Sequence, residues 1–175
     1  MKYFLVKSNP NYECMPRIIS IPMKEISPSD LSNKKYYKFN RITVLPIYDR
    51  DHIDFIDCIS SPIFLVSSLC MDVIKMYNPY IESKNIVLVS SKGNQTHNYH
   101  LPLLPVIKCL TSKSKFNLDK SCIEYAELDL NKVKYNNIFY IGDSTGIYTV
   151  IRLDILESML KRGAKGLNIN ELNIC

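Results

Sequence analysis

The chain contains 175 residues, of which 46% are apolar and 22% charged, with 5 Gly and 9 Pro. This balance excludes a collagenous or intrinsically disordered protein. Lysine and arginine exceed aspartate and glutamate by 22 to 17, and the net charge of +5 is not concentrated in either part of the chain, which makes nucleic acid an unexpected partner. The length predicts a single domain over residues 1–175, with a strand- and loop-rich part at 1–60 and the main core at 61–175.

Six cysteines are spaced too widely to form a CxxC pair, so no zinc site or other cofactor is expected. Free cysteines pack as small apolar side chains, and mostly buried free thiols are typical of a cytoplasmic protein. The apolar run at residues 3–6 is too short for a signal peptide. No stretch approaches the roughly 20 apolar residues of a membrane span, so no membrane association is expected.

The first 60 residues predict short strands separated by prolines. The apolar run at 1–7 is one strand, and 17–21 and 36–47 contain others. Residues 28–31 favour a short helix or turn. No helical periodicity is sustained in this part, so its core must be built from extended segments.

From residue 61 the periodicity becomes clearer. An apolar strand at 62–66 leads into Ser67, which can cap a helix at about 67–77. Strands follow at 85–90 and 122–130, with a turn at 92–94 and an extended segment at 99–110 between them. Two β-rich runs at 137–141 and 147–151 flank a turn and predict a hairpin. The second run enters a helix at about 152–162, and residues 167–174 alternate as an edge strand does.

Strand–helix–strand therefore occurs twice, around 62–90 and 147–174, at an offset of about 84 residues, which we interpret as two copies of a common unit. Combined with the hairpin, these units predict an α+β fold with a mixed, largely antiparallel sheet and two main helices.

The turn at 142–146 (GDSTG) raises the possibility of a serine nucleophile. Ser144 would need a base within hydrogen-bond reach, and all three histidines precede residue 101. A hairpin turn explains both glycines more simply. Cys109, with His97 or His100 as its base, is the corresponding thiol candidate, but its apolar neighbours indicate a buried strand position. Because 97 and 100 differ by an odd number, the two imidazoles should lie on opposite faces of a strand.

The densest acidic group lies at residues 49–57. The metal alternative is weak, because the glycine and final glutamate of an EF-hand loop are missing. If 51–57 were a strand, Asp51 and Asp57 would share a face. A solvated loop and a surface for a basic partner both remain open. The candidate partner-binding residues are Asp49, Arg50, Asp51, Asp54 and Asp57.

Residues 62–174 resemble a family of bacterial immunity proteins of polymorphic toxin systems, first catalogued as a domain of unknown function. The resemblance is carried by SPIFLVSS, YHLPLLPVIKCLTSKSKF, NNIFYIGD and VIRLDILESMLKRGAKGLNINEL. It implies a cytoplasmic protein without catalytic residues or cofactor that binds and neutralises a cognate toxin domain. A small hydrolase using Ser144 or Cys109, and a weak nucleic-acid-binding protein, remain as alternatives.

Overall fold

A computed structural model describes residues 1–21, 31, 40–92 and 94–175. The protein is α+β, and these residues form mostly antiparallel strands in mixed sheets and three helices. The strands are β1 (Tyr3–Ser8), β2 (Ile42–Ile47), β3 (Cys58–Ile59), β4 (Leu65–Val66), β5 (Ser83–Ser90), β6 (Thr96–Pro102), β7 (Val106–Ile107), β8 (Lys115–Phe116), β9 (Ile123–Tyr125), β10 (Glu127–Leu128), β11 (Ile138–Ile141), β12 (Thr149–Arg152), β13 (Leu167–Glu171) and β14 (Asn173–Ile174). The helices are α1 (Ser68–Tyr77), α2 (Leu130–Val133) and α3 (Leu153–Lys161).

Two five-stranded sheets form the body of the protein. The first has the strand order β13-β1-β12-β11-β7, and the second has the order β2-β5-β6-β4-β3. In the first sheet β12 and β13 both pair antiparallel with β1, and α3 connects them. In the second sheet β4 and β5 both pair antiparallel with β6, and α1 connects them. The two predicted strand–helix–strand units therefore share one topology, in which a third strand lies antiparallel between two parallel ones.

Both main helices are confirmed. The Ser67 hydroxyl accepts a hydrogen bond from the backbone N–H of Cys70, which caps the start of α1. Asn78 and Pro79 follow its last residue, where proline prevents continuation. After α3 the chain reaches Gly163 with φ of +84°, a left-handed conformation that glycine adopts without a steric penalty. The two helices pack against each other, and each also contacts its own sheet: α1 contacts β4 and β6, and α3 contacts β12.

The predicted hairpin is also confirmed, since β11 pairs antiparallel with β12, and β13 lies at the edge of its sheet as expected. Several details differ. The single strand predicted at 122–130 is divided into β9 and β10, which belong to different sheets, and of the strand predicted at 62–66 only β4 is formed. Residues 17–21 do not form a strand but make a single antiparallel bridge, from Ile18 to Ile47. Their backbone hydrogen bonds reach only the last residues of β2 and Tyr48 after it. Residues 51–57 form a loop and no strand. The four-residue helix α2, capped by Asp129, was not predicted because it is too short to show a period.

The core consists of two clusters of buried side chains. The larger one lies between the sheets and the two main helices and includes Phe64, Tyr99 and Tyr140. The smaller one lies beside the first sheet and contains Tyr3 and Phe139. The predicted helix or turn at 28–31 falls outside the described residues except for Leu31, as do Gly93 and residues 36–39. None of the helices in the described part is long and apolar enough to cross a membrane.

Candidate functional site

The acidic group at residues 49–57 is largely engaged in bonds within the protein. The Asp49 carboxylate accepts the backbone N–H of Lys92 at 3.1 Å. Asp54 lies 2.8 Å from the imidazole of His52. The Asp57 carboxylate accepts the backbone N–H of Lys165 at 2.7 Å, and its own N–H donates to the Lys165 carbonyl. These carboxylates therefore hold the loop in place, and their charge is only partly available to a partner.

Four of the five predicted residues are distributed over two depressions. Asp49, Arg50 and Asp51 line a small polar depression of about 260 Å³ near Lys92. Asp57 lies in a different depression, beside the start of α1. Residues 51–57 are not a strand, so the condition under which Asp51 and Asp57 would share a face is not met. The segment is irregular and bonds to Lys165 through Asp57.

Ser144 is part of the packing of the hairpin turn. It is 7% exposed, and its hydroxyl donates to the Lys120 carbonyl at 2.7 Å while accepting the backbone N–H of Gly146. A Cβ on Gly146 would approach the Ser121 carbonyl oxygen to 2.6 Å, so the turn is seated closely on residues 120–121. The hydroxyl that a hydrolase would use is thus committed to holding two loops together.

Cys109 is fully buried, although it lies just outside β7 and not within a strand. Burial raises the pKa of its thiol to about 12, with the Asp143 carboxylate adding to the effect. The Asp143 carboxylate also accepts the backbone N–H of Cys109 at 2.7 Å. A thiol with this pKa is almost entirely protonated near neutral pH, so Cys109 lacks the thiolate that nucleophilic chemistry requires.

The two histidines of β6 lie on opposite faces, as expected. The His97 ring stacks on Phe55 with centroids 4.7 Å apart, whereas His100 Nε2 lies 3.1 Å from the Ser68 hydroxyl. This Ser68–His100 pair was missed by sequence reasoning, because its members are 32 residues apart and meet only when β4 pairs with β6.

The geometry of the Ser68–His100 pair does not favour general base catalysis. A base must offer a lone pair on Nε2, which would place the proton on Nδ1. That atom is buried and has no hydrogen-bond partner among the described residues, so no third group orients the imidazole for this role. Burial, and to a smaller extent Lys75, lowers the pKa of His100.

A larger surface groove lies elsewhere, between the end of β1, the segment 15–21 and the loop after β3. Its volume is about 770 Å³. A second depression of about 380 Å³ shares four of its residues and continues towards β12. We call the two together the Lys7 groove; it is lined by Lys7, Ser8, Pro10, Met15, Pro16, Arg17, Ile18, Ile19, Ser20, Ile21, Ile59, Ser60, Ser61, Pro62, Ser121, Gly146, Ile147 and Tyr148.

The only charged side chains among these lining residues are Lys7 and Arg17, and both are exposed. The Lys7 ammonium lies 5.1 Å from the centre of the Tyr148 ring, a cation–π contact. Neither cation forms an ion pair with any residue that the structure describes. Isoleucines and prolines make up half of the remaining lining residues, and serines are the next most frequent. The Lys7 groove is therefore apolar and positively charged at once.

The walls of the Lys7 groove are fixed by backbone bonds. The N–H of Ser8 donates to the Ser60 hydroxyl at 3.0 Å, and the N–H of Ser60 donates to the Ser8 hydroxyl at 2.8 Å. On the opposite wall the N–H of Ile19 donates to the Pro46 carbonyl, and the N–H of Tyr48 donates to the Arg17 carbonyl. No sequence signal marked this groove, because its residues come from segments more than 130 positions apart.

A further depression of about 400 Å³ lies beside the end of α1. Tyr77, Tyr80 and Tyr135 line it together with asparagines and prolines, and no charged residue is among the described residues that line it. Tyr80 and Tyr135 are almost fully exposed. Tyrosine is a common contact residue in protein interfaces, so this surface is a second region of interest.

Comparison with known proteins assigns no family, since no family model matches the chain and no curated protein is significantly similar to it. Within the described ranges, no three His, Cys, Asp or Glu side chains are grouped closely enough to hold a metal ion. The function is therefore inferred from the geometry of these sites and from the sequence patterns of the chain.

Proposed function

We propose that this chain is a non-catalytic immunity protein that binds a cognate bacterial toxin in the cytoplasm and neutralises it. The mechanism is steric: the bound protein covers the toxin's active site over an interface of about 1,200–2,000 Å². Support comes first from the resemblance of residues 62–174, whose two strand–helix–strand patterns form units of the same local topology in the two sheets.

The observation that carries the proposal is the contrast between the Lys7 groove and the candidate nucleophiles. Ser144 and Cys109 are both buried and bonded within the fold. The Lys7 groove, in contrast, presents apolar surface and two cations without ion-pair partners among the described residues. Apolar contact area supplies most of the energy of protein association, and complementary charges set specificity and rate. The groove has both properties.

The test begins by establishing whether the preceding gene encodes a protein with a toxin-like C-terminal domain, and then co-expresses the chain with that domain. We expect the chain to restore growth of cells that produce the toxin domain and to purify with it as a stoichiometric complex. The Ser144→Ala/Cys109→Ala double variant should protect equally well, with circular dichroism confirming that it folds. A folded double variant that loses protection would support the hydrolase alternative, and protection without a complex would contradict the proposal.

A further inference from the structure

We infer that the Lys7 groove binds an acidic segment of the partner protein in which carboxylates alternate with aliphatic side chains. The inference rests on the proposed function and adds the chemistry of the surface that the toxin presents. It reverses the expectation drawn from the sequence, in which the acidic residues at 49–57 attract a basic partner.

The charge of the segment follows from the two cations. An ammonium or guanidinium in an interface loses water, and it must gain a carboxylate or another acceptor to compensate. Among the described residues, the Lys7 ammonium contacts the Tyr148 ring and neither Lys7 nor Arg17 has an ion-pair partner. The guanidinium can bind a carboxylate through two parallel hydrogen bonds. An occupant with carboxylates near both positions satisfies both cations.

The aliphatic part of the segment follows from the walls. Ile18, Ile19 and Ile21 lie on one side of the Lys7 groove, and Ile59 and Pro62 lie on the other. Ile19 is 42% exposed, so a partner side chain placed against it would bury apolar surface worth about 25 cal/mol per Å². The volume of about 770 Å³ accommodates several side chains of an extended segment.

A nucleic acid fits this surface less well. Binding to a phosphate backbone requires a row of cations, and binding to single strands also requires exposed aromatic faces for base stacking. The Lys7 groove supplies two cations, and its one aromatic ring, Tyr148, is 9% exposed and already contacts Lys7. Isoleucine side chains offer nothing to a phosphate. The balance of apolar walls and few charges therefore favours a peptide segment.

The groove also binds without much rearrangement. The reciprocal bonds of Ser8 and Ser60, and the bonds of Ile19 and Tyr48 to opposite chain segments, hold both walls before a partner arrives. The N–H of Asn9 donates to the Gly166 carbonyl at 2.8 Å and fixes the end of β1. A preformed site loses little conformational entropy on binding, so a short segment can bind measurably without the rest of the toxin.

The experiment uses two fluorescently labelled hexapeptides titrated with the full chain at low salt. In one peptide Asp or Glu alternates with Leu, and in its twin Lys replaces every acid. We expect the acidic peptide to bind at least tenfold more tightly than the basic one. The Lys7→Glu/Arg17→Glu variant should lose this preference. The Lys115→Glu/Lys161→Glu variant, which changes the net charge equally outside the Lys7 groove, should keep it.

Equal affinity for the two peptides, or an acidic preference that survives in the Lys7→Glu/Arg17→Glu variant, would overturn the inference. So would tighter binding of a 12-nucleotide DNA or RNA that depends on the same two residues. The inference and the proposed function fail separately. If the acidic peptide binds but no toxin complex forms, the toxin-binding function is wrong. If the toxin complex forms and is unaffected by the Lys7→Glu/Arg17→Glu change, only the assignment of the groove is wrong.

Discussion

The acidic loop at 49–57 and the Lys7 groove show opposite uses of charge. The loop has the densest charge in the sequence, yet Asp49, Asp54 and Asp57 each have a partner within the protein. The groove has only two charged side chains, ten positions apart, and both lack an ion-pair partner among the described residues. Charge density along a sequence is therefore a poor indicator of the charge that remains available to a partner. Folding can bond a charged side chain to a group far away in the sequence, as it does for Asp49 and Asp57.

The largest expected effect tests whether the acidic loop has a structural role. Gly166 has φ of +77°, and a Cβ there would overlap the Ile56 side chain in the loop. Gly166→Ala combines this overlap with an unfavourable left-handed conformation, so we expect it to lower the free energy of unfolding by about 3 kcal/mol or more. Gly163→Ala is the control: φ is +84° but its surroundings are open, so the expected loss is about 1 kcal/mol. Urea denaturation measures both.

Equal losses for the two glycine variants would mean that residues 51–57 yield easily to the turn at 163–166. The loop would then be free to adapt to a partner, and the contrast with the Lys7 groove would weaken.

The next effect concerns toxin binding. Lys7→Glu/Arg17→Glu should weaken the toxin complex about 100-fold, equivalent to about 2.7 kcal/mol, because two attractive contacts become repulsive. The Asp49→Asn/Asp51→Asn/Asp54→Asn variant should change the affinity less than about threefold. Isothermal titration calorimetry with the purified toxin domain measures both dissociation constants. The opposite ranking of the two variants would assign the interface to the acidic loop.

A third test compares the contributions of two aspartates of the acidic loop, Asp57 and Asp51, to stability. Asp57→Ala removes the acceptor of the Lys165 N–H, so we expect a loss of about 1–2 kcal/mol in the free energy of unfolding. Asp51→Ala is the matched control, because the Asp51 side chain is exposed and only its backbone carbonyl accepts a hydrogen bond. It should change stability by less than about 0.5 kcal/mol. Similar values for the two variants in urea denaturation would show that the Asp57 bond contributes nothing.

The smallest effect concerns His100, whose ring is partly buried beside α1. Burial lowers the pKa of this imidazole below its ordinary value of 6.5, so the unfolded chain takes up the proton first as the pH falls. Lys75 lowers the pKa further, and Asp72 opposes it. The contribution of neutral His100 to the free energy of unfolding is complete above pH 6.5. It is lost as the pH falls from 6.5 through the lower pKa of the folded state.

We therefore expect His100→Gln to reduce the difference in unfolding free energy between pH 7 and pH 5. Urea denaturation at the two pH values makes the comparison. An unchanged difference would mean that His100 is not responsible for the pH dependence in this range.

Periodicity along the chain was sufficient to predict α1, α3 and the hairpin of β11 and β12. Each has a local signal, such as the Ser67 cap or the apolar spacing of α3, that tertiary contacts reinforce. The bridge of residues 17–21 and the interior position of β1 were not accessible in this way. Whether a short apolar run becomes an interior strand depends on distant partners, here β12 and β13, and not on its own residues.

The candidate site was less predictable than the fold. Asp49 and Asp51 attracted attention because they are adjacent in sequence, and the structure does place them together. Lys7 and Arg17 lie in segments without a distinctive pattern. Lys7 meets Tyr148 because β1 pairs with β12, and Arg17 reaches the groove because its backbone carbonyl bonds to Tyr48 after β2. A site assembled by long-range strand pairing leaves no pattern in a single sequence, whereas a charged loop does, whether or not it binds anything.

Hydrogen exchange of the chain, measured by mass spectrometry with and without the toxin domain, tests the central claim most directly. The account predicts slower exchange in the segments that line the Lys7 groove, at 7–10, 15–21, 59–62 and 146–148. Exchange at 49–51 and 92–95 should be unaffected. Slowing confined to the acidic loop or to the tyrosines around Tyr80, or no slowing with a toxin that the chain neutralises, would contradict it.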